Sequence, residues 1–163
     1  MHYAYCSSMC DTNANWEITS DVDTSSNSIG RRVDIIVDFD NNPFKFIANS
    51  DCLINSSNAE GLPMAILEAL ACNLCVVSTD CLSGPREILC PNTNLEKQIS
   101  NGVEYGKYGV LFPINKTKLL AEVMEKIIED KDLVKSYKLK AKERALFFNS
   151  NNIYNLYKNP IHG

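Results

Sequence analysis

The sequence predicts an α/β domain with a parallel sheet. Short apolar and β-branched segments recur at 33–39, 52–54, 75–78 and 109–112, and segments with helical spacing lie between and after them. The 163 residues are 45% hydrophobic and 22% charged, which is ordinary for one soluble globular domain. Buried strands that alternate with helices are typical of parallel sheets, because the connecting helices cover both faces.

The chain begins with a segment whose composition differs from the rest. Ser, Thr, Asn and Asp dominate residues 11–28, so residues 1–32 are predicted to form a poorly ordered polar arm. The β-branched residues of 33–39, followed by an Asp-Asn-Asn-Pro turn, predict the first strand. A short helix is predicted at 44–49.

The middle of the chain predicts two strands with a helix between them. Residues 52–54 are apolar and lead into a polar loop at 55–60. A helix is predicted at 63–71, because proline suits a first helical turn and the following Asn73 suits a left-handed cap. The next buried strand is predicted at 75–78.

Two amphipathic helices are predicted to close the domain, which spans 33–158 and precedes a tail at 159–163. Their apolar stripes have helical spacing and consist of Leu119, Leu120, Val123, Met124, Ile127 and Ile128, and of Leu133, Val134, Tyr137, Ala141, Ala145 and Phe148. The second helix carries the lysines Lys131, Lys135, Lys138, Lys140 and Lys142. A solvated helix face explains these lysines, and peripheral contact with an anionic membrane surface is the alternative.

Charge and cysteine patterns exclude several classes of protein. A net charge of −4 argues against a nucleic-acid-binding surface. No apolar run approaches the roughly 18–20 residues that span a bilayer, and no signal peptide is predicted. Cys72-x-x-Cys75 has the spacing of a redox or metal pair but lacks a second pair or histidine ligands. We therefore expect reduced core cysteines, no metal ion and a cytoplasmic protein.

The loop at 55–62 is the main candidate for a ligand site. Ligands of parallel sheets bind beyond the carboxyl ends of the strands, where 55–62 and 79–84 lie. The helix that follows offers free amides and its positive dipole end to phosphate oxygens, and Gly61 allows close backbone approach. Glu60 can accept hydrogen bonds from sugar hydroxyls. Glu68 can accept two from the vicinal hydroxyls of a ribose.

These residues also have structural interpretations. A glutamate at position 60 is a common cap or dipole partner for a helix, and one at position 68 is commonly solvated. Residues 85–89 can form a short helix that Ser83 and Gly84 cap, with Arg86 and Glu87 on its surface.

The segment 51–72 resembles the signature of glycosyltransferase family 4, whose members are retaining enzymes of the GT-B fold. Glu60 and Glu68 match the Glu-x7-Glu pattern of that family. Three further segments are similar to a branch of bacterial transferases that build surface and protein-linked glycans, often from UDP-N-acetylhexosamines: 76–81, 83–89 and 108–113. The resemblance extends from Val33 to Phe148.

The resemblance implies a site for a nucleotide-sugar donor. Glu60 is then the catalytic residue that contacts the donor sugar, and Glu68 holds the nucleotide ribose. Sugar and phosphate contacts are expected from Gly61, Leu62, Pro63, Met64, Ser83 and Gly84. No metal ion or other cofactor is implied. The implied reaction is retaining transfer of a hexose or N-acetylhexosamine, from a UDP-sugar to a glycan or lipid-linked acceptor.

The chain also departs from the family pattern. Asn73 replaces a glycine in a left-handed cap, which is a mild change. The acceptor-binding N-terminal domain and the start of the donor domain have no counterpart. The expected fold is therefore a partial Rossmann-like parallel sheet with flanking helices, the C-terminal half of a GT-B fold. In such a sheet the strand at 52–54 has an unpaired, aggregation-prone edge.

The sequence leaves three interpretations open. The chain is a glycosyltransferase fragment that supplies only the donor site and has weak or no activity alone, or a non-catalytic module that binds a nucleotide sugar or a partner, or an inactive remnant. The first interpretation implies a cytoplasmic protein, with peripheral contact at the cytoplasmic face of the membrane.

Overall fold

The computed structural model describes residues 3–5 and 44–158. Its sheet contains five strands in the order β1-β2-β3-β5-β4. They are β1 (Tyr3–Tyr5), β2 (Cys52–Asn55), β3 (Cys75–Thr79), β4 (Glu104–Tyr105) and β5 (Val110–Phe112). β1, β2, β3 and β5 pair in parallel, and β4 pairs with β5 antiparallel. The predicted α/β domain with a mainly parallel sheet is therefore confirmed.

Helices connect and cover the strands. They are α1 (Phe44–Ile47), α2 (Met64–Ala71), α3 (Pro85–Leu89), α4 (Thr117–Glu129), α5 (Lys131–Phe147) and α6 (Ser150–Lys158). α4 ends at Glu129, and the carboxylate of the next residue, Asp130, accepts a hydrogen bond from Leu133 N at 2.9 Å and so caps α5. Among the described residues, no helix has the length and apolar character needed to cross a membrane.

The core lies on both faces of the sheet, because successive strand residues point to opposite sides. On one face, Leu53, Val76 and Leu111 pack against α2 and α3. On the other, Ile54, Val77 and Phe112 pack against α4 and the first half of α5. The predicted stripe of α4 faces this second cluster, with Val123 and Ile127 fully buried and Leu120, Met124 and Ile128 beside them.

The edge of β2 differs from the prediction. The sequence predicts an unpaired edge there, but β1 pairs with β2 in parallel and places Tyr3 opposite Cys52. Tyr3–Tyr5 therefore form a strand of the sheet, although the sequence assigns them to a poorly ordered arm. The rest of that arm, the strand predicted at 33–39 and the tail at 159–163 lie outside the described residues.

Several boundaries also differ. α2 begins at Met64 rather than Pro63, because Pro63 has an extended backbone (φ −72°, ψ 94°) and serves as the N-cap. β4 and α6 were not predicted. A two-residue strand and a polar nine-residue helix carry too few periodic positions to stand out from a loop. The predicted left-handed cap is present, since Asn73 has φ 58°.

Candidate functional site

The carboxyl ends of β2 and β3 carry buried polar side chains that hold the adjoining loops. Asn55 Nδ2 donates to Ser78 Oγ across the two strands at 3.4 Å. Ser57 Oγ donates to Asn55 Oδ1 at 2.8 Å, and Thr79 Oγ1 donates to the carbonyl of Ser57. These bonds fix the start of loop 55–62 against the end of β3, since buried polar groups are costly when left unpaired.

The two loops predicted to lie at this edge contact each other. Ser83 Oγ donates to the carbonyl of Glu60 at 2.8 Å. Gly84 has φ 83°, and a methyl group there would collide with Gly61 O and Pro63 Cδ. Only glycine satisfies both the left-handed backbone and this close approach. Loops 55–62 and 79–84 therefore form one surface.

The N-terminus of α2 opens onto that surface. Pro63 supplies no side-chain cap, and the first turn contains no acidic residue. The carbonyl of Pro63 accepts from the amides of Ile66 and Leu67. The amides of Met64 and Ala65 find no acceptor within the described part of the chain. These amides and the helix dipole offer an anion-binding end without a compensating carboxylate.

Glu60 precedes the start of α2, and Glu68 lies one turn into the helix. Glu60 is half-buried. Burial raises the pKa of the Cys81 thiol, and the negative charge of Glu60 adds to this increase. Glu68 is also half-buried, and burial raises the pKa of its carboxyl. Neither side chain makes a hydrogen bond or ion pair with the residues that the structure describes. The cap interpretation of Glu60 is thus not realised, and both carboxylates remain available to accept hydrogen bonds from a ligand.

The structure brings most of the predicted site residues together. Glu60, Gly61, Pro63, Ser83 and Gly84 meet in the loop contact. The side chains of Leu62 and Met64 are 50% and 56% exposed, so a ligand would contact them at the protein surface. Glu68 lies one helical turn further along α2 and makes no described contact with the loops.

The sequence did not predict a buried ion-pair cluster that lies beside the loops. Arg86 is only 6% exposed, whereas the structural interpretation of 85–89 had placed it on the surface. Its guanidinium contacts Asp80 and Glu104, at 2.6 and 3.0 Å from Nη2. No local pattern links residues six and eighteen positions apart, so only the folded chain reveals this cluster. Glu87 is exposed, as expected.

The cysteines that the structure describes fit the interpretation as small core residues. Cys52, Cys75, Cys81 and Cys90 are buried free thiols, and Cys72 is partly exposed. Burial raises the pKa of Cys90 to about 12, which keeps its thiol protonated. Across the described ranges, no group of three or more potential ligand residues could hold a metal ion.

Two surface clefts lie away from the loops. The first, of about 700 Å³, runs between α4 and α5 and is lined by five carboxylates and two lysines. This excess of negative charge repels phosphate groups. The second, of about 410 Å³, is lined by Arg144 and Phe147 among others, but Arg144 already donates to two carbonyls. The loop surface therefore combines anion-binding amides with free carboxylates more effectively than either cleft.

Comparisons with known proteins match this chain to glycosyltransferases. The family model described as "Glycosyl transferases group 1" matches residues 28–144. An uncharacterized glycosyltransferase of Methanocaldococcus jannaschii is 44% identical, over 75% of this chain and 34% of its own length. N-acetylgalactosamine-N,N'-diacetylbacillosaminyl-diphospho-undecaprenol 4-alpha-N-acetylgalactosaminyltransferase of Campylobacter jejuni is 32% identical, over 70% of this chain and 27% of its own. The chain thus spans about a third or less of the length of these relatives.

Solved structures share the fold. Anabaena HepE in complex with UDP matches 80% of this chain and 32% of its own, with a TM-score of 0.62 and 21% identity. Sucrose-phosphate synthase from Thermosynechococcus elongatus matches 80% of this chain with a TM-score of 0.56 and 18% identity.

Proposed function

Since the chain belongs to the glycosyl transferases group 1 family, we propose that it supplies the donor-binding site of a glycosyltransferase that uses a nucleotide sugar. The open amides of Met64 and Ala65 bind the diphosphate, and Glu68 accepts hydrogen bonds from the ribose hydroxyls. Glu60 contacts the donor sugar as the catalytic residue. Gly61 through Met64, with Ser83 and Gly84, form the surface against which sugar and phosphate lie.

One observation carries this proposal. The uncapped start of α2 adjoins the loop pair that Ser83 and Gly84 hold together. Glu60 precedes this helix start and Glu68 lies one turn into the helix, and neither carboxylate has a protein partner among the described residues. Amides that bind an anion next to carboxylates that bind hydroxyls match the chemistry of a sugar nucleotide.

The finer assignment is to retaining glycosyltransferase family 4 with a UDP-hexose or UDP-N-acetylhexosamine donor. The Glu60–Glu68 spacing supports it, and so do two similar proteins: the Campylobacter jejuni N-acetylgalactosaminyltransferase and HepE in complex with UDP. We propose a glycan or lipid-linked acceptor, and no metal ion, because the helix dipole and open amides already stabilise the diphosphate. Free thiols favour a cytoplasmic location, with the lysine-bearing α5 available for peripheral membrane contact.

Glu68 offers the direct test. UDP binding to the purified chain is measured by isothermal titration calorimetry for wild type, Glu68→Gln and Glu122→Gln. Glu68→Gln is expected to weaken UDP binding at least about tenfold, because the amide loses a charged acceptor for the ribose hydroxyls. Glu122 lies exposed on α4, so Glu122→Gln is expected to bind like wild type.

A pH series sharpens the same experiment. Burial raises the pKa of Glu68, so the carboxylate forms only as the pH rises past that raised value. Wild-type affinity is expected to gain from this ionisation between pH 4.5 and neutrality, relative to Glu68→Gln. Equal affinities of the two proteins across the series would exclude the ribose role.

The chain alone is proposed to bind the donor without measurable transfer, since it matches about a third or less of the length of its relatives. The wild-type sample is assayed with UDP-N-acetylhexosamine and a lipid-linked glycan acceptor. Measurable product formation would contradict the proposal that this chain supplies only the donor site. Absence of UDP binding would contradict the proposed donor site itself and favour an inactive remnant.

A further inference from the structure

The segment between β3 and α3 is closed by an ion pair at its two ends. Asp80 follows β3 and Arg86 lies in the first turn of α3. Arg86 Nε donates to Asp80 Oδ1 at 3.0 Å, and Nη2 donates to Asp80 Oδ2 at 2.6 Å. Such a two-point contact fixes the direction as well as the distance between the groups. Both side chains are buried, at 6% and 1% exposure.

Each partner is anchored to other elements. The amide of Asp80 donates to Phe112 O on β5 at 2.7 Å, and its carboxylate accepts from the amide of Ile99. On the far side, Arg86 donates to both carboxylate oxygens of Glu104 on β4. Burial disfavours the charged guanidinium, but the hydrogen bonds and charges of Asp80 and Glu104 outweigh it and raise the pKa of Arg86.

Ser83, between the two ends, adopts a costly backbone conformation. Ser83 and Gly84 are consecutive and have φ values of 56° and 83°. Glycine adopts a positive φ without penalty, whereas a non-glycine residue does so at a cost and persists there only where its surroundings hold it. These same two residues contact Glu60 and Gly61. The strained part of the segment is therefore the part that meets the candidate donor site.

We propose that Arg86 is a positioning residue, which closes segment 80–86 onto Asp80 and thereby holds Ser83 and Gly84 against the loop of Glu60. This inference rests on the donor site proposed above. Arg86 itself need not touch the ligand, because its side chain is buried and all three guanidinium nitrogens already donate to Asp80, Thr93 and Glu104. Its effect on the donor passes through the two residues whose backbone it constrains.

A second buried arginine provides a matched control. Arg144 of α5 is 7% exposed and donates to the carbonyls of Glu87 and Ile88, at the other end of α3. It also stacks against the rings of Tyr108, Phe147 and Phe148. Arg144 thus stabilises the same helix as Arg86 without contacting segment 80–86.

The test compares UDP affinity and thermal stability among Arg86→Lys, Arg144→Lys and Glu104→Gln. Lysine keeps the charge but cannot make the two-point contact with Asp80. Arg86→Lys is expected to lower UDP affinity at least about tenfold, because a small misplacement of a binding group is costly. Arg144→Lys is expected to lower the melting temperature about as much as Arg86→Lys does, while its UDP affinity stays near that of wild type. Glu104→Gln leaves the Asp80 contact intact and is expected to keep most of the affinity.

A second readout reports the segment itself. The backbone of Ser83 and Gly84, followed by ¹⁵N relaxation, is expected to become more mobile in Arg86→Lys and to stay unchanged in Arg144→Lys. If Arg86→Lys does not fold, Asp80→Asn replaces it, since asparagine preserves the shape of the side chain and one acceptor oxygen. The same loss of affinity and the same increase in backbone mobility are expected for that variant.

Three outcomes overturn the inference. If wild type binds UDP and Arg86→Lys binds it equally well, the positioning role is wrong and the proposed donor site is unaffected. Equal losses of affinity in Arg86→Lys and Arg144→Lys show that general stability is responsible. If wild type itself binds no UDP, the donor site fails and the positioning role fails with it.

Discussion

Gly84 illustrates how one missing side chain shapes the candidate site. Its positive φ and its contact with the backbone of Gly61 leave no space for a β-carbon. Gly102 also has a positive φ, of 78°, but nothing lies within 4 Å of where its β-carbon would stand. A comparison of alanine substitutions at the two positions therefore distinguishes the cost of backbone strain from the cost of a steric clash.

Gly84→Ala is expected to lower the free energy of unfolding by more than the roughly 1 kcal/mol expected for Gly102→Ala, because only the first adds a collision to the strain. It is also expected to abolish UDP binding, since Gly61 and Pro63 must move. Chemical denaturation and calorimetry of both variants measure the two effects. Equal stability losses, with UDP affinity intact in both, would show that the loop contact is unimportant.

Several of the predicted site residues lie close together in the fold, for a physical reason. Glu60, Gly61 and Glu68 lie in a continuous local pattern of strand, loop and helix, which the sequence displays directly. The contact of Ser83 with Glu60 joins residues 23 positions apart, and its existence depends on the pairing of β2 and β3. The predicted roles in donor binding stay predictions.

At the scale of elements, α4 shows how a helical pattern becomes a core. Six apolar residues recur at helical spacing, but only Val123 and Ile127 are fully buried. These two lie at the centre of the stripe and face Val77 and Phe112 of the sheet. The flanking residues lie at the edges of the contact and keep part of their surface in water.

Ile127→Ala is expected to lower the free energy of unfolding by about 2–5 kcal/mol, because the truncated side chain leaves a cavity against the sheet. Leu139→Ala in α5 provides the control, since Leu139 is 76% exposed and its change is expected to stay within about 0.5 kcal/mol. Urea denaturation of both variants measures the difference. A cost below 1 kcal/mol for Ile127→Ala would mean that α4 does not pack as described.

At the scale of the whole molecule, β1 protects the inner strands. β2 is buried along its length, and its backbone on one side pairs with Tyr3–Tyr5. Without β1, these buried amides and carbonyls lose their partners, each at a cost of about 1–3 kcal/mol. The bare edge would also be able to pair with another copy of the chain.

Deletion of residues 1–5 is expected to lower the melting temperature by several degrees and to cause concentration-dependent association. Deletion of 159–163 removes the same number of residues from the other terminus and serves as the control. Differential scanning calorimetry and light scattering follow stability and size. A truncated chain that stays monomeric with an unchanged melting temperature would contradict the protective role of β1.

The sequence by itself determined the elements whose signals are local: the apolar strands, the periodic helices and the Glu60–Glu68 pattern at a helix start. Only the tertiary structure decided the partner of the β2 edge, the burial of Arg86 between Asp80 and Glu104, and the contact of Gly84 with Gly61. The physical reason is the range of the forces involved. Periodicity and turn chemistry act over a few neighbouring residues, whereas edge pairing, buried ion pairs and backbone contacts join segments that only folding brings together.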